Sequence, residues 1–155
     1  MSEFKLPNGS MTSIELIETD VLLVEYNAKR YFQYVSLFSK EQNNIRSMKI
    51  SPMYKFILEY TICGIGGKKF DYVNTKYYEM QRAYGRSHSQ AMVKMSNFIK
   101  LFRDIRINGL NKIPFIIPDG NGLYQIKDGH HRIACCMVLN KKKVPCRILR
   151  EKIIN

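Results

Sequence analysis

The sequence predicts an α+β fold, in which a small mixed sheet is covered by helices and joined to a mainly helical N-terminal extension. Two short apolar segments, Ile113–Ile117 and Leu123–Lys127, flank the turn-forming residues Asp119–Gly122, which is typical of a β-hairpin. A long helical pattern precedes the hairpin, and a helix and a strand follow it. With 155 residues, 45% of them hydrophobic, the chain is long and apolar enough to form a core.

The first residues of the chain predict little regular structure. Residues 1–12 are polar and predict a loose lead-in. Ile14–Val24 alternates and is rich in β-branched residues, so it predicts one or two short strands with a turn at Glu18–Asp20. Residues 27–40 mix aromatic and polar side chains and support no assignment.

Two helices follow in the middle of the chain. Ser51 is a suitable N-cap and Pro52 a suitable first residue for a helix that ends before Gly64. Gly64–Gly67 predicts a break. Thr75 is a suitable cap for a further helix that ends near Gly85.

The longest helical pattern begins at Ser87 or Ser89 and ends at Asn108–Gly109, a suitable left-handed C-terminal signal. Its apolar residues recur at the spacing of one buried face. They are Met92, Met95, Phe98, Ile99, Phe102 and Ile105.

The C-terminal residues complete the prediction with a helix at His130–Asn140 and a strand at Val144–Leu149. We predict a single domain over residues 1–155. Within it, residues 13–88 hold strands and a helical insertion, and residues 89–150 form the core unit.

The composition limits the class of protein. No segment approaches the roughly 20 apolar residues that cross a bilayer, and the first residues lack the apolar region of a secretory signal, so we expect a cytoplasmic protein without a membrane span. The formal net charge of +12 favours binding to polyanions, although a solvated basic surface explains it equally well. We therefore expect any nucleic-acid binding to be weak and non-specific.

The four cysteines predict no metal site and no disulfide. Cys135 and Cys136 are adjacent, which makes a mutual disulfide awkward, and Cys63 and Cys146 form no metal-type pair with them. We expect all four to be reduced and structural.

The residues from Asp128 to Arg132, DGHHR, form the segment most suited to chemistry. A strand ends before Gly129, and a helix begins directly after it. The first turn of a helix presents unpaired N–H groups and the positive end of the helix dipole, which together favour an anion. His130, His131 and Arg132 add side-chain donors, so we predict that Gly129, His130, His131 and Arg132 bind phosphate.

Asp128 is unusual in a site for anions. Beside bound phosphates, its carboxylate suits a magnesium ligand or a base that accepts a hydroxyl proton. It could instead be the N-cap of the helix, and Arg132 could pair with a surface carboxylate. A zinc site is not favoured, because only His88 is available as a third histidine and tight zinc sites need three or four ligands.

The order of elements over residues 89–150 resembles the ParB/sulfiredoxin superfamily. The corresponding pieces are Asn108–Gly109, the strand at Pro114–Ile117, the turn at Asp128–Arg132 and the Val144–Pro145 pair. DGHHR is closer to the DGHTR of the free serine kinases than to the GERR of ParB. His130 stands where sulfiredoxin has its cysteine, so sulfiredoxin chemistry is not expected.

The resemblance implies that ATP or another nucleotide binds with magnesium, its phosphates resting on Gly129, His130, His131 and Arg132. The serine-kinase members imply that Asp128 is the acidic residue near the acceptor hydroxyl. The segment SPMYKFILEY, with the later YYEMQRAYG, is similar to ParB-like proteins of polysaccharide gene clusters, which implies a sugar or lipid-linked acceptor. Together, the resemblances imply a kinase whose acceptor is an amino acid, a sugar or a polysaccharide precursor. The alternatives are a ParB-like nucleotide-dependent DNA-binding or switch protein, and a binding module without turnover.

Overall fold

The computed structural model describes residues 3–5, 11–24 and 46–150, which form an α+β fold. The strands among these residues are β1 (Glu3–Lys5), β2 (Met11–Glu18), β3 (Leu22–Leu23), β4 (Phe115–Gly120), β5 (Leu123–Asp128) and β6 (Lys143–Arg150). The helices are α1 (Pro52–Ile65), α2 (Lys76–Ala83), α3 (His88–Asn108) and α4 (His130–Val138). The predicted fold class is confirmed. The unassigned residues 27–40 lie outside the described part of the chain.

The described strands form one mixed sheet in the order β1-β2-β6-β4-β5-β3. The hairpin β4–β5 is antiparallel, whereas β4 and β6 are parallel and are connected through β5 and α4. The strand β2 pairs antiparallel with β6, with Ile17 opposite Val144. The N-terminal strands therefore extend the same sheet as the C-terminal ones.

The predicted lead-in over residues 1–12 is wrong where the structure describes it. Glu3–Lys5 form β1, which pairs with β2, and β2 already begins at Met11. The sequence of these residues alone indicates a strand only weakly. Their conformation is set by backbone hydrogen bonds to a neighbouring strand rather than by local propensity.

The helix boundaries mostly follow the predicted capping residues. The side chains of Ser51, Thr75 and Ser87 each accept a hydrogen bond from a backbone N–H in the first turn of α1, α2 and α3. The helix α1 does not stop before Gly64 but continues to Ile65, with Gly66 as its C-cap. A single glycine inside a helix costs only about 1 kcal/mol, so it does not end a helix that is otherwise well packed.

The core lies between the sheet and the helices, and it includes Phe56 of α1, Tyr77 of α2 and Phe98 of α3. The rings of Phe56 and Phe98 stack with their centroids 5.5 Å apart, and the ring centroid of Tyr77 lies 5.1 Å from that of Phe56. Of the predicted buried face of α3, Met92 is only partly buried. This packing places α3 against α4, and it brings Tyr77 of α2 to His131 at the start of α4.

All four cysteines are free, and Cys135, Cys136 and Cys146 are buried. Burial raises the pKa of each of these three thiols, so they remain protonated and act as small apolar side chains. Within the described ranges, no helix has the length and apolar character to span a membrane.

Candidate functional site

The connection between β5 and α4 is a single residue, Gly129. The strand ends at Asp128, Gly129 adopts a left-handed conformation with φ of 103°, and α4 begins at His130. Gly129 is the N-cap, and no side chain caps the helix. The alternative in which Asp128 is the N-cap is therefore not what the structure has, and the backbone N–H groups of the first turn of α4 face the region beside Asp128 without a side-chain cap.

Glycine is required at position 129 for a reason that the sequence does not reveal. A Cβ atom added to Gly129 would lie 2.9 Å from Cβ and 3.1 Å from Cα of Pro114. Pro114 is buried just before β4, and its carbonyl oxygen accepts a hydrogen bond of 2.8 Å from the backbone N–H of Arg147. The missing side chain thus allows close packing on Pro114, in addition to the positive φ.

Arg132 links the start of α4 to the residues around it. Its Nη1 donates to the carbonyl oxygen of Lys112 at 3.0 Å, and its Nη2 donates to Oδ2 of Asp128 at 3.1 Å. The side chain is only 12% exposed. A guanidinium group has five N–H donors, so these two contacts leave donors available for a ligand.

Asp128 is held between two cations. Its Oδ2 lies 3.1 Å from Nη2 of Arg132 and 3.5 Å from Nζ of Lys112. Partial burial raises the pKa of the Asp128 carboxyl, but the hydrogen bond and charge of Arg132, with Lys112, outweigh it and hold the pKa below its usual range. Asp128 is thus ionised at neutral pH. Among the described residues, no hydrogen-bond donor lies on its other oxygen, Oδ1.

His131 points into the helical layer. Its Nε2 is joined to the hydroxyl of Tyr77 by a hydrogen bond of 3.0 Å, and its ring lies edge-on to Phe98 with centroids 4.6 Å apart. Burial, and then the charges of His130, Lys94 and Arg132, lower the pKa of His131 to about 4. His131 is therefore neutral at physiological pH, and it contributes no positive charge to an anion site.

A cleft of about 540 Å³ opens in front of this turn. Asp128 and Gly129–Arg132 form one part of its wall, so the five residues predicted from the sequence all line the same space. The helical layer supplies the other part, mainly Tyr77, Gln81, Arg86, Lys94, Asn97 and Phe98. The result is a cleft with an apolar interior, three cationic side chains and one carboxylate among its described lining residues.

The sequence does not single out the residues of the helical wall. Tyr77, Arg86 and Lys94 lie more than 30 residues from the DGHHR turn along the chain. They carry no motif, and only the packing of α3 on α4 and of α2 on α3 brings them to the cleft.

The described residues contain no cluster of three or more histidine, cysteine, aspartate or glutamate side chains suited to a metal ion. Asp128 is the acidic side chain that lines the cleft, so a magnesium ion here would need phosphate oxygens and water as its other ligands.

Comparisons with known proteins give no match: no protein-family model, no curated protein and no solved structure is similar to this chain. The resemblance to the ParB/sulfiredoxin superfamily therefore stays a prediction, and the function has to be argued from the cleft.

Proposed function

We propose that this protein binds a nucleotide with its phosphates against the first turn of α4, and that it transfers a phosphoryl group to a hydroxyl acceptor. The observation that supports the proposal is the position of the cleft. It opens directly in front of an N-terminus that no side chain caps, and its wall includes Arg132 and the carboxylate of Asp128. Cationic groups around the phosphates and a residue that orients the acceptor hydroxyl are recurring parts of phosphoryl-transfer sites.

The proposed phosphate contacts come from the backbone and from two side chains. The N–H groups of the first turn of α4 point along the helix axis, and the dipole adds a favourable potential for an anion. Arg132 is held in place by Lys112 and Asp128, so its remaining donors are already oriented. His130 lines the cleft at the same turn. We assign His131 a positioning role, since it is neutral and bonded to Tyr77.

Asp128 is the proposed residue beside the acceptor. Its Oδ2 is fixed by Arg132, while Oδ1 is available to accept a hydrogen bond from the acceptor hydroxyl or to bind magnesium. The lowered pKa makes Asp128 a weak base. It is therefore better suited to orient the hydroxyl and to accept its proton late, as the new bond forms, than to deprotonate the free alcohol.

The proposed reaction with ATP balances as follows. The acceptor oxygen forms a bond to the γ-phosphorus, and the bond between that phosphorus and the β–γ bridging oxygen breaks, so ADP leaves with the electron pair. The hydroxyl proton passes to Asp128 and then to water. Magnesium, if held by the phosphates and water, would supply positive charge that offsets the charge on the phosphate oxygens and would leave Oδ1 of Asp128 for the hydroxyl.

Binding is tested by isothermal titration calorimetry, in which the protein is titrated with pyrophosphate, ATP, ADP and CTP, each in the presence of magnesium. Arg132→Ala should weaken binding by about 1.5–3 kcal/mol, the usual contribution of a charge-assisted contact. Arg82→Ala is the matched control, because Arg82 is exposed on α2 and does not line the cleft. Unchanged affinity in a folded Arg132→Ala protein would refute the phosphate site.

The net charge of +12 supports a second proposal, a ParB-like nucleotide-dependent switch that binds DNA. The two proposals share the nucleotide but differ in what it controls. Tight binding to one DNA sequence that depends on the nucleotide and survives physiological salt would favour the switch over the kinase.

A further inference from the structure

The helical wall of the cleft carries two cations that the proposed phosphate site does not use. Arg86 lies between α2 and α3, and Lys94 lies on α3. Both line the cleft. Both cations also lie near the hydrogen-bonded pair Tyr77–His131. The charge of Lys94 helps to lower the pKa of His131, and the charge of Arg86 acts on the Tyr77 hydroxyl.

Arg86 is held in a defined position. Its Nη1 donates to the side-chain oxygen of Gln81, which is buried, and its guanidinium carbon lies 5.9 Å from the ring centroid of Tyr84. These contacts fix a half-buried guanidinium group toward the cleft without neutralising it. Such a position favours a planar anion, because an oriented guanidinium group binds a carboxylate or phosphate through two parallel hydrogen bonds.

The charge of this wall is not balanced by the described part of the chain. Among the described residues, neither Arg86 nor Lys94 forms an ion pair, whereas Arg132 is paired with Asp128. Arg86 is half buried beside the apolar interior, so its guanidinium group loses part of its hydration, whereas Lys94 is exposed. A ligand with a negative group would offset this loss and pair with both cations, so the wall is complementary to an anion.

We infer that Arg86 and Lys94 form a second anion subsite, and that the phosphoryl acceptor is a hydroxyl compound that carries a carboxylate or phosphate of its own. The role of the ligand as a phosphoryl acceptor rests on the proposed function. The existence of the subsite depends only on the cleft.

The test uses matched pairs of acceptors that differ in charge. Glycerate is compared with glycerol, and glucose 6-phosphate with glucose, which separates carboxylate from phosphate recognition. Binding of each compound to the full chain is measured by ligand-observed NMR, and transfer from ATP is measured with magnesium present. At least one charged member should bind about 10-fold more tightly than its neutral partner, or better.

The variants are Lys94→Gln and Arg86→Gln, with Lys100→Gln and Arg82→Gln as controls that remove the same charge outside the cleft. Lys94 and Lys100 are both exposed on α3, so Lys94→Gln should fold normally even if Arg86→Gln does not. Both cleft variants should weaken binding of the charged acceptor about 10-fold or more, while pyrophosphate affinity and both controls stay unchanged.

The outcomes distinguish the subsite from the kinase. If a charged acceptor binds through Lys94 but no nucleotide binds, the subsite stands and the proposed transfer fails. Equal binding of neutral and charged compounds, or no binding of either, overturns the subsite. Weaker pyrophosphate or ATP binding in the Lys94→Gln protein also overturns it, because the cation then belongs to the nucleotide.

Discussion

Gly129→Ala tests whether the close approach of Pro114 to the turn before α4 constrains the site. The substitution places a Cβ at a residue with φ of 103° and at 2.9 Å from Cβ of Pro114. A left-handed conformation costs a non-glycine residue about 1–2 kcal/mol, and an overpacked contact costs about 1–3 kcal/mol. The free energy of unfolding should therefore fall by about 2–5 kcal/mol, which lowers Tm by about 4–20 °C for a chain of this size.

Urea denaturation followed by circular dichroism measures this change, with Gly85→Ala as the control. Gly85 also has a positive φ, of 90°, but no atom lies within 4 Å of the position of an added Cβ. Gly85→Ala should therefore cost only the backbone part, about 1–2 kcal/mol. The difference between the two variants isolates the contact with Pro114. If Gly129→Ala costs no more than Gly85→Ala, the steric explanation of Gly129 is wrong.

Two further predictions concern the same cleft, and a third concerns the net charge. Because the pKa of His131 is about 4 in the folded protein and 6.5 in its reference state, the unfolded chain binds the proton more tightly, and stability should fall by up to roughly 3 kcal/mol as the pH drops from about 6.5 to 4. Denaturation at several pH values should show that the free energy of unfolding falls less on acidification in His131→Gln than in the unsubstituted protein. The exposed control His88→Gln should lose as much as the unsubstituted protein, and an equal loss in His131→Gln would contradict the burial argument. Asp128→Asn should change stability by less than about 1 kcal/mol, since its ion pairs are half exposed, but should lower any phosphoryl transfer about 100-fold. Near-normal turnover in that variant would remove Asp128 from the mechanism. Duplex DNA should bind weakly, without sequence preference and with a steep loss on added salt in fluorescence anisotropy, as a diffuse positive field requires.

The proposed roles of Arg132 and Asp128 are coupled through their ion pair. Removing Arg132 also frees Asp128 and breaks the contact with the carbonyl oxygen of Lys112. A loss of nucleotide affinity in Arg132→Ala therefore includes any rearrangement of the turn. Comparison with Asp128→Asn, which keeps a hydrogen-bond acceptor for Arg132, separates these contributions.

The sequence by itself determined the features that depend on neighbouring residues. Ser51, Thr75 and Ser87 predict the starts of three helices, because a hydroxyl side chain caps the N–H groups only two or three residues further along. The DGHHR turn is predictable for the same reason, as Gly129 must break the strand before α4 begins. Local chemistry also predicts that this turn favours an anion.

Only the tertiary structure decided what surrounds that turn. Gly129 is constrained by Pro114, which precedes it by 15 residues, and the pKa of His131 is lowered by its burial beside Phe98. The strand β1 joins the sheet through backbone hydrogen bonds to β2, although its own residues carry only a weak strand pattern. Arg86 and Lys94 likewise reach the cleft because α3 packs on α4 and α2 packs on α3. Contacts between distant residues depend on how whole elements bury their apolar faces together, and that information is spread over the core rather than held in any one segment.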